Sequence, residues 1–246
     1  MLKDLLSEVK TYKTTLPFSK KKVEYRPFRV KEEKILLMAM EEGTDDAILA
    51  AVRNLIKECL VTNINVGDLP LIDIEFVFLQ IRAKSVGEVV KPKVNCPYTG
   101  KQTYAEINLT EVKPKVDSEL TRRIEITDQI GISVRHPSID ILIETDLSEK
   151  VDASLVTESI KLIASCITEI YTPDEVIQTE TVPKEEVIDF VEALTPQNFD
   201  DLSGFFETTP KLEHEVKYVV LVEDEDGKTK KEEHSIVLSG LSDFFL

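Results

Sequence analysis

The chain has 246 residues, 42% of them hydrophobic, which is enough to bury the core of one large domain or of two smaller ones. Its net charge is −16 and is unevenly distributed: residues 1–91 hold 15 basic and 14 acidic residues, whereas residues 92–246 hold 15 basic and 32 acidic residues. Such acidity disfavours binding to nucleic acid, because phosphate contacts need clustered Lys and Arg.

Membrane and secreted proteins are also disfavoured classes. No apolar run approaches the roughly 20 residues that are needed to span a bilayer. Charges interrupt the apolar N-terminus MLKDLLSEVK, so a signal peptide is not expected. Three widely spaced cysteines, Cys59, Cys96 and Cys166, are typical of a reducing compartment and predict no disulfide framework.

The start of the chain predicts a short helix, a turn and a strand. Apolar residues at helical spacing indicate a helix over residues 1–14. Residues 20–22 are a run of lysines, which predicts a solvated turn, with contact to an acidic partner as the alternative. Val23 and Tyr25 alternate with charged residues as in a half-buried strand, and Pro27 places that strand at a sheet edge or marks its end.

Three helices are predicted next. Glu32 and Glu33 lie in the first turn of the first helix, where the helix dipole favours carboxylates, and Gly43 can adopt the left-handed conformation that ends it. Because residues 35–40 are apolar on all sides, we expect this helix to be well buried. A second helix follows a cap at residues 44–46. Residues 71–84 are densely apolar and indicate a third, central helix, with a strand as the alternative.

The middle of the chain predicts β-structure. Residues 89–94 and 103–109 are expected to form two strands around a turn at 95–101, where Pro97 and Gly100 supply the geometry. A second hairpin is expected from residues 124–126 and 132–134. Cys96 begins a turn like a zinc knuckle, but no second cysteine follows it, so no metal site is predicted.

The last part of the chain predicts helices and then a hairpin. A helix is expected over residues 152–171, and two more begin near Pro183 and at Thr195-Pro196. Strict alternation over residues 212–222 and a return over 229–238 predict an antiparallel hairpin, which is followed by the apolar tail LSGLSDFFL.

Together these elements predict an α+β fold with helical N-terminal and central segments, a small β-rich insertion and a C-terminal antiparallel hairpin. The predicted parts are residues 1–87, mainly helical with a leading strand, residues 88–135, rich in β-structure, and residues 136–246, helical and ending in the hairpin and tail. The alternative is one composite domain.

No local pattern in the sequence predicts catalysis or cofactor binding. A P-loop and a G-x-G-x-x-G motif are absent, and the three histidines are far apart along the chain. Adjacent carboxylates such as Glu32 and Glu33 are inevitable among 46 acidic residues. We therefore expect no cofactor and no enzymatic activity, and an enzyme whose site assembles from distant residues is the competing hypothesis.

Three segments resemble one protein family. They are KKVEYRPFRVKEEKILLMAMEEG at 21–43, LPLIDIEFVFLQIRAKSVGE at 69–88 and SIVLSGLSDFF at 235–245. The first two are the specific ones, and they resemble the baseplate hub and hub-assembly proteins of T4-like contractile-tailed phages. Residues 110–210 carry little that matches.

The resemblance implies a non-enzymatic role in building the hub of the tail baseplate. The protein would be a structural hub subunit or a hub assembly factor, and in the second case a chaperone absent from the mature virion. Other baseplate and hub proteins would be its partners, with no nucleic acid and no membrane among them. Its location would be the host cytoplasm during assembly and the tail baseplate of the virion. A further rival is an acidic, host-directed binding protein.

On this reading the functional residues are contact surfaces. A basic and aromatic patch near the N-terminal strand, the end of the third helix and an apolar plug at the C-terminus are the candidates. Their alternative roles are capping a helix C-terminus, for the cations, and closing the protein's own core, for the plug. The candidate residues are Arg26, Phe28, Arg29, Lys31, Lys34, Arg82, Lys84, Ser85, Phe244, Phe245 and Leu246.

Overall fold

The computed structural model describes residues 9–96, 99–100, 102–114, 121–145, 152–210, 212–223 and 229–240. It has the predicted α+β fold, with its buried apolar residues in two clusters. The helices are α1 Val30–Glu42, α2 Asp45–Cys59, α3 Leu71–Val86, α4 Ile139–Glu144, α5 Asp152–Cys166, α6 Lys184–Glu192 and α7 Pro196–Glu207. The strands are β1 Tyr12–Thr15, β2 Lys22–Tyr25, β3 Val89–Val90, β4 Lys93–Asn95, β5 Gln102–Tyr104, β6 Ile107–Asn108, β7 Thr121–Glu125, β8 Gly131–Arg135, β9 Ile167–Tyr171, β10 Val176–Gln178, β11 Glu213–Glu223 and β12 Thr229–Ser239.

The N-terminal segment forms a hairpin, β1–β2. The predicted helix over residues 1–14 is wrong in its described part, because residues 9–11 are not helical and strand β1 begins at Tyr12. Tyr12 pairs with Tyr25 and stacks on it with ring centroids 5.9 Å apart, so aromatic and β-branched side chains favour the strand. The predicted strand at Val23 and Tyr25 is confirmed, as is the turn before it, where Lys20 has a φ of 57°.

The start and end of α1 and the cap that begins α2 are as predicted. Gly43 has a φ of 75°, in the left-handed region, and its N–H bonds the Ala39 carbonyl. The Thr44 hydroxyl accepts a hydrogen bond from the Ala47 N–H at 3.3 Å and so caps α2. The expected burial of α1 is wrong: Glu32, Leu36 and Ala39 are buried, but much of the remaining apolar surface is exposed.

Helix α3 is confirmed, and the hairpin after it is interrupted. The two predicted strands each divide in two, so that β3 pairs with β6 and β4 pairs with β5. Pro92 lies between β3 and β4 and has no N–H to donate, which breaks the ladder there. This hairpin, α1–α3 and the C-terminal hairpin β11–β12 supply the first hydrophobic cluster.

The second cluster lies between a four-stranded antiparallel sheet, in the order β10-β9-β8-β7, and the helices α5, α6 and α7. The predicted helix over residues 152–171 is wrong in its last five residues, because α5 ends at Cys166 and β9 begins at Ile167. The β9 sequence Ile-Thr-Glu-Ile-Tyr is rich in β-branched and aromatic residues, and β9 pairs with β8 and β10 on its two sides.

The C-terminal hairpin is confirmed. Strands β11 and β12 have 11 residues each, and His214 pairs with Leu238. The apolar plug of Phe244, Phe245 and Leu246 lies outside the described residues. The division of the chain at residues 88 and 136 stays a prediction.

Candidate partner-binding surface

The structure brings most of the candidate contact residues together where β2 leads into α1 and where α3 ends. The Phe28 N–H donates to the Ser85 hydroxyl at 2.9 Å, and that hydroxyl donates to the Ile81 carbonyl at 2.7 Å. The Lys84 ammonium lies 5.5 Å from the centre of the Tyr12 ring. The loop before α1, the C-terminal turn of α3 and the β1 strand therefore form one continuous region.

Arg26 has a structural contact within this region. Its guanidinium donates to the Glu32 carboxylate at 2.9 Å, with the Arg26 side chain 16% exposed and that of Glu32 3% exposed. Burial by itself raises the pKa of Glu32, but hydrogen bonds from Arg26, the Arg29 N–H and Lys31 outweigh it, so the net pKa is lowered. The carboxylate is thus ionised at neutral pH and fixes the angle at which the chain enters α1.

The other candidate cations lie at the surface or next to it. Arg29, Lys31 and Lys34 are exposed, and Lys31 is shared between Glu32 at 3.2 Å and Glu58 at 3.6 Å. Arg82 is half-buried, and this burial lowers its pKa. Because Arg29 and Lys31 lie at the N-terminal end of α1, they make a basic border to the surface described next.

The outward side of α1 is an exposed apolar surface that the sequence analysis missed. We call it the outer α1 face and define it by Val30, Lys34, Ile35, Leu37, Met38 and Glu41. Its four apolar side chains are 79%, 54%, 53% and 59% exposed in chain order. A helix that is apolar on every side must expose some of that surface unless another element covers it. That pattern over residues 35–40 was the available signal, and exposed apolar patches commonly mark interaction sites.

The three cysteines are buried, and two lysines that line a cleft are paired with carboxylates. Burial raises the pKa of the Cys59 thiol to about 11 and that of Cys166 to about 12, so both are protonated at neutral pH. In a cleft lined by α4, α5 and α6, Lys161 pairs with Glu158 and Lys184 with Glu144. Within the described ranges, no group of three or more His, Cys, Asp or Glu residues could hold a metal ion. No helix in these same ranges has the length and apolar character needed to cross a membrane.

Comparison with known protein families finds a match over nearly the whole chain. The family described as T4 bacteriophage base plate protein matches residues 9–246, nearly the whole chain. No curated protein matches the chain. No solved structure matches it either.

Proposed function

Because this chain belongs to the T4 bacteriophage base plate protein family, we propose that it is a non-enzymatic component of the baseplate hub that acts through contacts with other hub and baseplate proteins. It serves as a hub subunit or as a hub assembly factor. The family makes it a phage baseplate structural or assembly protein, and the hub is the finer assignment proposed here.

The outer α1 face is the observation that carries this proposal. A protein that works by docking needs an apolar surface that is exposed before assembly and covered afterwards. Val30, Leu37 and Met38 supply such a surface, Lys34 lies within it, and the cations Arg29 and Lys31 border it. Charged borders of this kind affect the rate of association and its salt dependence more than the affinity.

The location proposed is the host cytoplasm during assembly and, for a subunit, the tail baseplate of the virion. Quantitative mass spectrometry of purified particles, next to lysate of infected cells, separates the two roles. A fixed number of copies in each particle identifies a hub subunit. Abundance in lysate with absence from particles identifies an assembly factor. Absence of any stable complex with baseplate proteins in either sample would contradict both roles.

A further inference from the structure

The outer α1 face has an ordered distribution of charge along the helix. Lys34, Leu37, Met38 and Glu41 follow one another at spacings of three, one and three residues, so they share one side of the helix. A cation thus stands at the N-terminal end of this stripe, an anion at the C-terminal end, and two exposed apolar side chains lie between them. Within the described part of the chain, neither Lys34 nor Glu41 has an ion-pair partner.

This order is complementary to itself when a second identical helix runs in the opposite direction. A two-fold axis at Leu37 and Met38 places Lys34 of each copy opposite Glu41 of the other. The ion pair then forms twice, and the apolar residues meet at the centre. In a parallel arrangement Lys34 would meet Lys34 and Glu41 would meet Glu41, which costs repulsion at both ends.

We propose that the outer α1 face binds the same face of a second copy of this chain, with the two α1 helices antiparallel. This inference rests on the proposed function, because it names the partner of one docking surface. Helix α1 has 13 residues and is about 20 Å long, so the contact is small for a specific interface. We therefore expect a dimer that dissociates in the micromolar range, formed when copies are concentrated at an assembling hub.

Charge reversal tests the pairing on the full chain in solution. Sedimentation equilibrium should give a monomer–dimer equilibrium for the wild type. Lys34→Glu alone and Glu41→Lys alone should each weaken dimerisation at least about tenfold, because each change creates two repulsive contacts per dimer. The double variant Lys34→Glu/Glu41→Lys should restore the dissociation constant to within about threefold, since it exchanges the two charges of each pair.

Two controls keep the test specific. Lys57→Glu makes the same change of charge at an exposed position of α2 and should leave dimerisation unchanged. Leu37→Asp should abolish the dimer, and circular dichroism should show that this variant keeps its helix content, because Leu37 is 53% exposed. Retention of the dimer in Leu37→Asp, or failure of the double variant to restore it, would overturn the proposal.

Other occupants of the outer α1 face give different results. One such result is a wild type that is monomeric at a protein concentration 100-fold above the expected micromolar dissociation constant and that forms a dimer only after residues 241–246 are removed. In that case the chain's own tail covers the face, and self-pairing of the wild type is overturned. If the wild type is monomeric and Leu37→Asp prevents incorporation into particles, the face binds a different protein, which also overturns it. The baseplate role is tested separately on particles, so it can stand when the dimer fails.

Discussion

The regions around the two hydrophobic clusters differ in whether they bury carboxylates. In the first cluster region the carboxylates of Glu32, Asp73 and Glu75 are only 3%, 0% and 4% exposed. The second cluster, as far as the structure describes it, is built from apolar side chains such as Ile132 and Phe205. A buried carboxylate is costly unless N–H groups or cations satisfy it, so each one in the first region must be held in place by specific donors.

For Asp73 and Glu75 those donors come from distant parts of the chain. Asp73 of α3 accepts the N–H groups of Phe18 and Ser19, each at 2.9 Å, and Glu75 accepts the N–H of Leu212 at 3.3 Å. One helix thus holds the β1–β2 turn and the start of the C-terminal hairpin. The second region instead obtains its long-range order from backbone pairing, as between β8 and β9. The first region should therefore be the more sensitive to single polar substitutions.

Asp73→Ala should have the largest effect. It leaves the buried N–H of Phe18 and the partly buried N–H of Ser19 without an acceptor, at about 1–3 kcal/mol each, so we expect about 4 kcal/mol of lost unfolding free energy. Urea denaturation at neutral pH measures this loss. The matched control is Asn198→Ala in the second region, where the amide donates to the Ile126 carbonyl at 3.1 Å; it should cost about 1 kcal/mol. Equal costs at the two positions would contradict the comparison.

This dependence on distant donors also explains which features could be predicted from the sequence. Local features were accessible: the left-handed Gly43, the caps at Thr44 and Thr195, and the alternation that predicts β11 and β12 each depend on neighbouring residues. The roles of Asp73 and Glu75 as buried acceptors were not accessible, because their donors Phe18 and Leu212 are 55 and 137 positions away along the chain.

Two errors have similar physical causes. The spacing of apolar residues continues from α5 into β9, so periodicity extended the helix, whereas pairing with strands on both sides decides the conformation of Ile167–Tyr171. The apolar pattern of α1 predicted burial, but a pattern does not specify whether the covering surface belongs to the same chain. Of the candidate site, the clustering of Phe28 with Ser85 is observed, whereas the partner-binding roles stay predictions.

Arg26→Ala should have the second largest effect. Removing one member of a buried pair leaves the Glu32 carboxylate with less compensation, and we expect a loss of about 3 kcal/mol. Lys31→Ala is the matched control, because Lys31 contacts the same carboxylate from a side chain that is 63% exposed. It should cost less than about 1 kcal/mol. If the two variants are equally stable by urea denaturation, the Arg26–Glu32 pair does not hold α1 and the comparison is weakened.

Glu75→Gln should have the smallest of the three effects and the opposite sign at neutral to alkaline pH. Burial raises the pKa of Glu75 from 4.5 to about 7, although the hydrogen bond from the Leu212 N–H lowers it. Below pH 4.5 the group is protonated in both states. As the pH rises to 7 the unfolded chain loses this proton before the folded protein does, so the wild type loses stability across this window and no further above it.

The glutamine side chain of the variant does not titrate. The difference in unfolding free energy between the variant and the wild type therefore reports the titration of Glu75 alone, because the contributions of Glu32 and of the other carboxylates cancel. At 1.36 kcal/mol per pKa unit the limit is about 3 kcal/mol. We expect about 2 kcal/mol in favour of the variant at pH 8, because the buried glutamine amide adds N–H groups that need acceptors. The difference should fall steadily as the pH is lowered and should favour the wild type by up to about 1 kcal/mol near pH 4.5, because the cost of the buried amide does not depend on pH. A difference that is constant with pH would mean that Glu75 ionises alike in the folded and unfolded chains, and hence that the base of the hairpin is open to water.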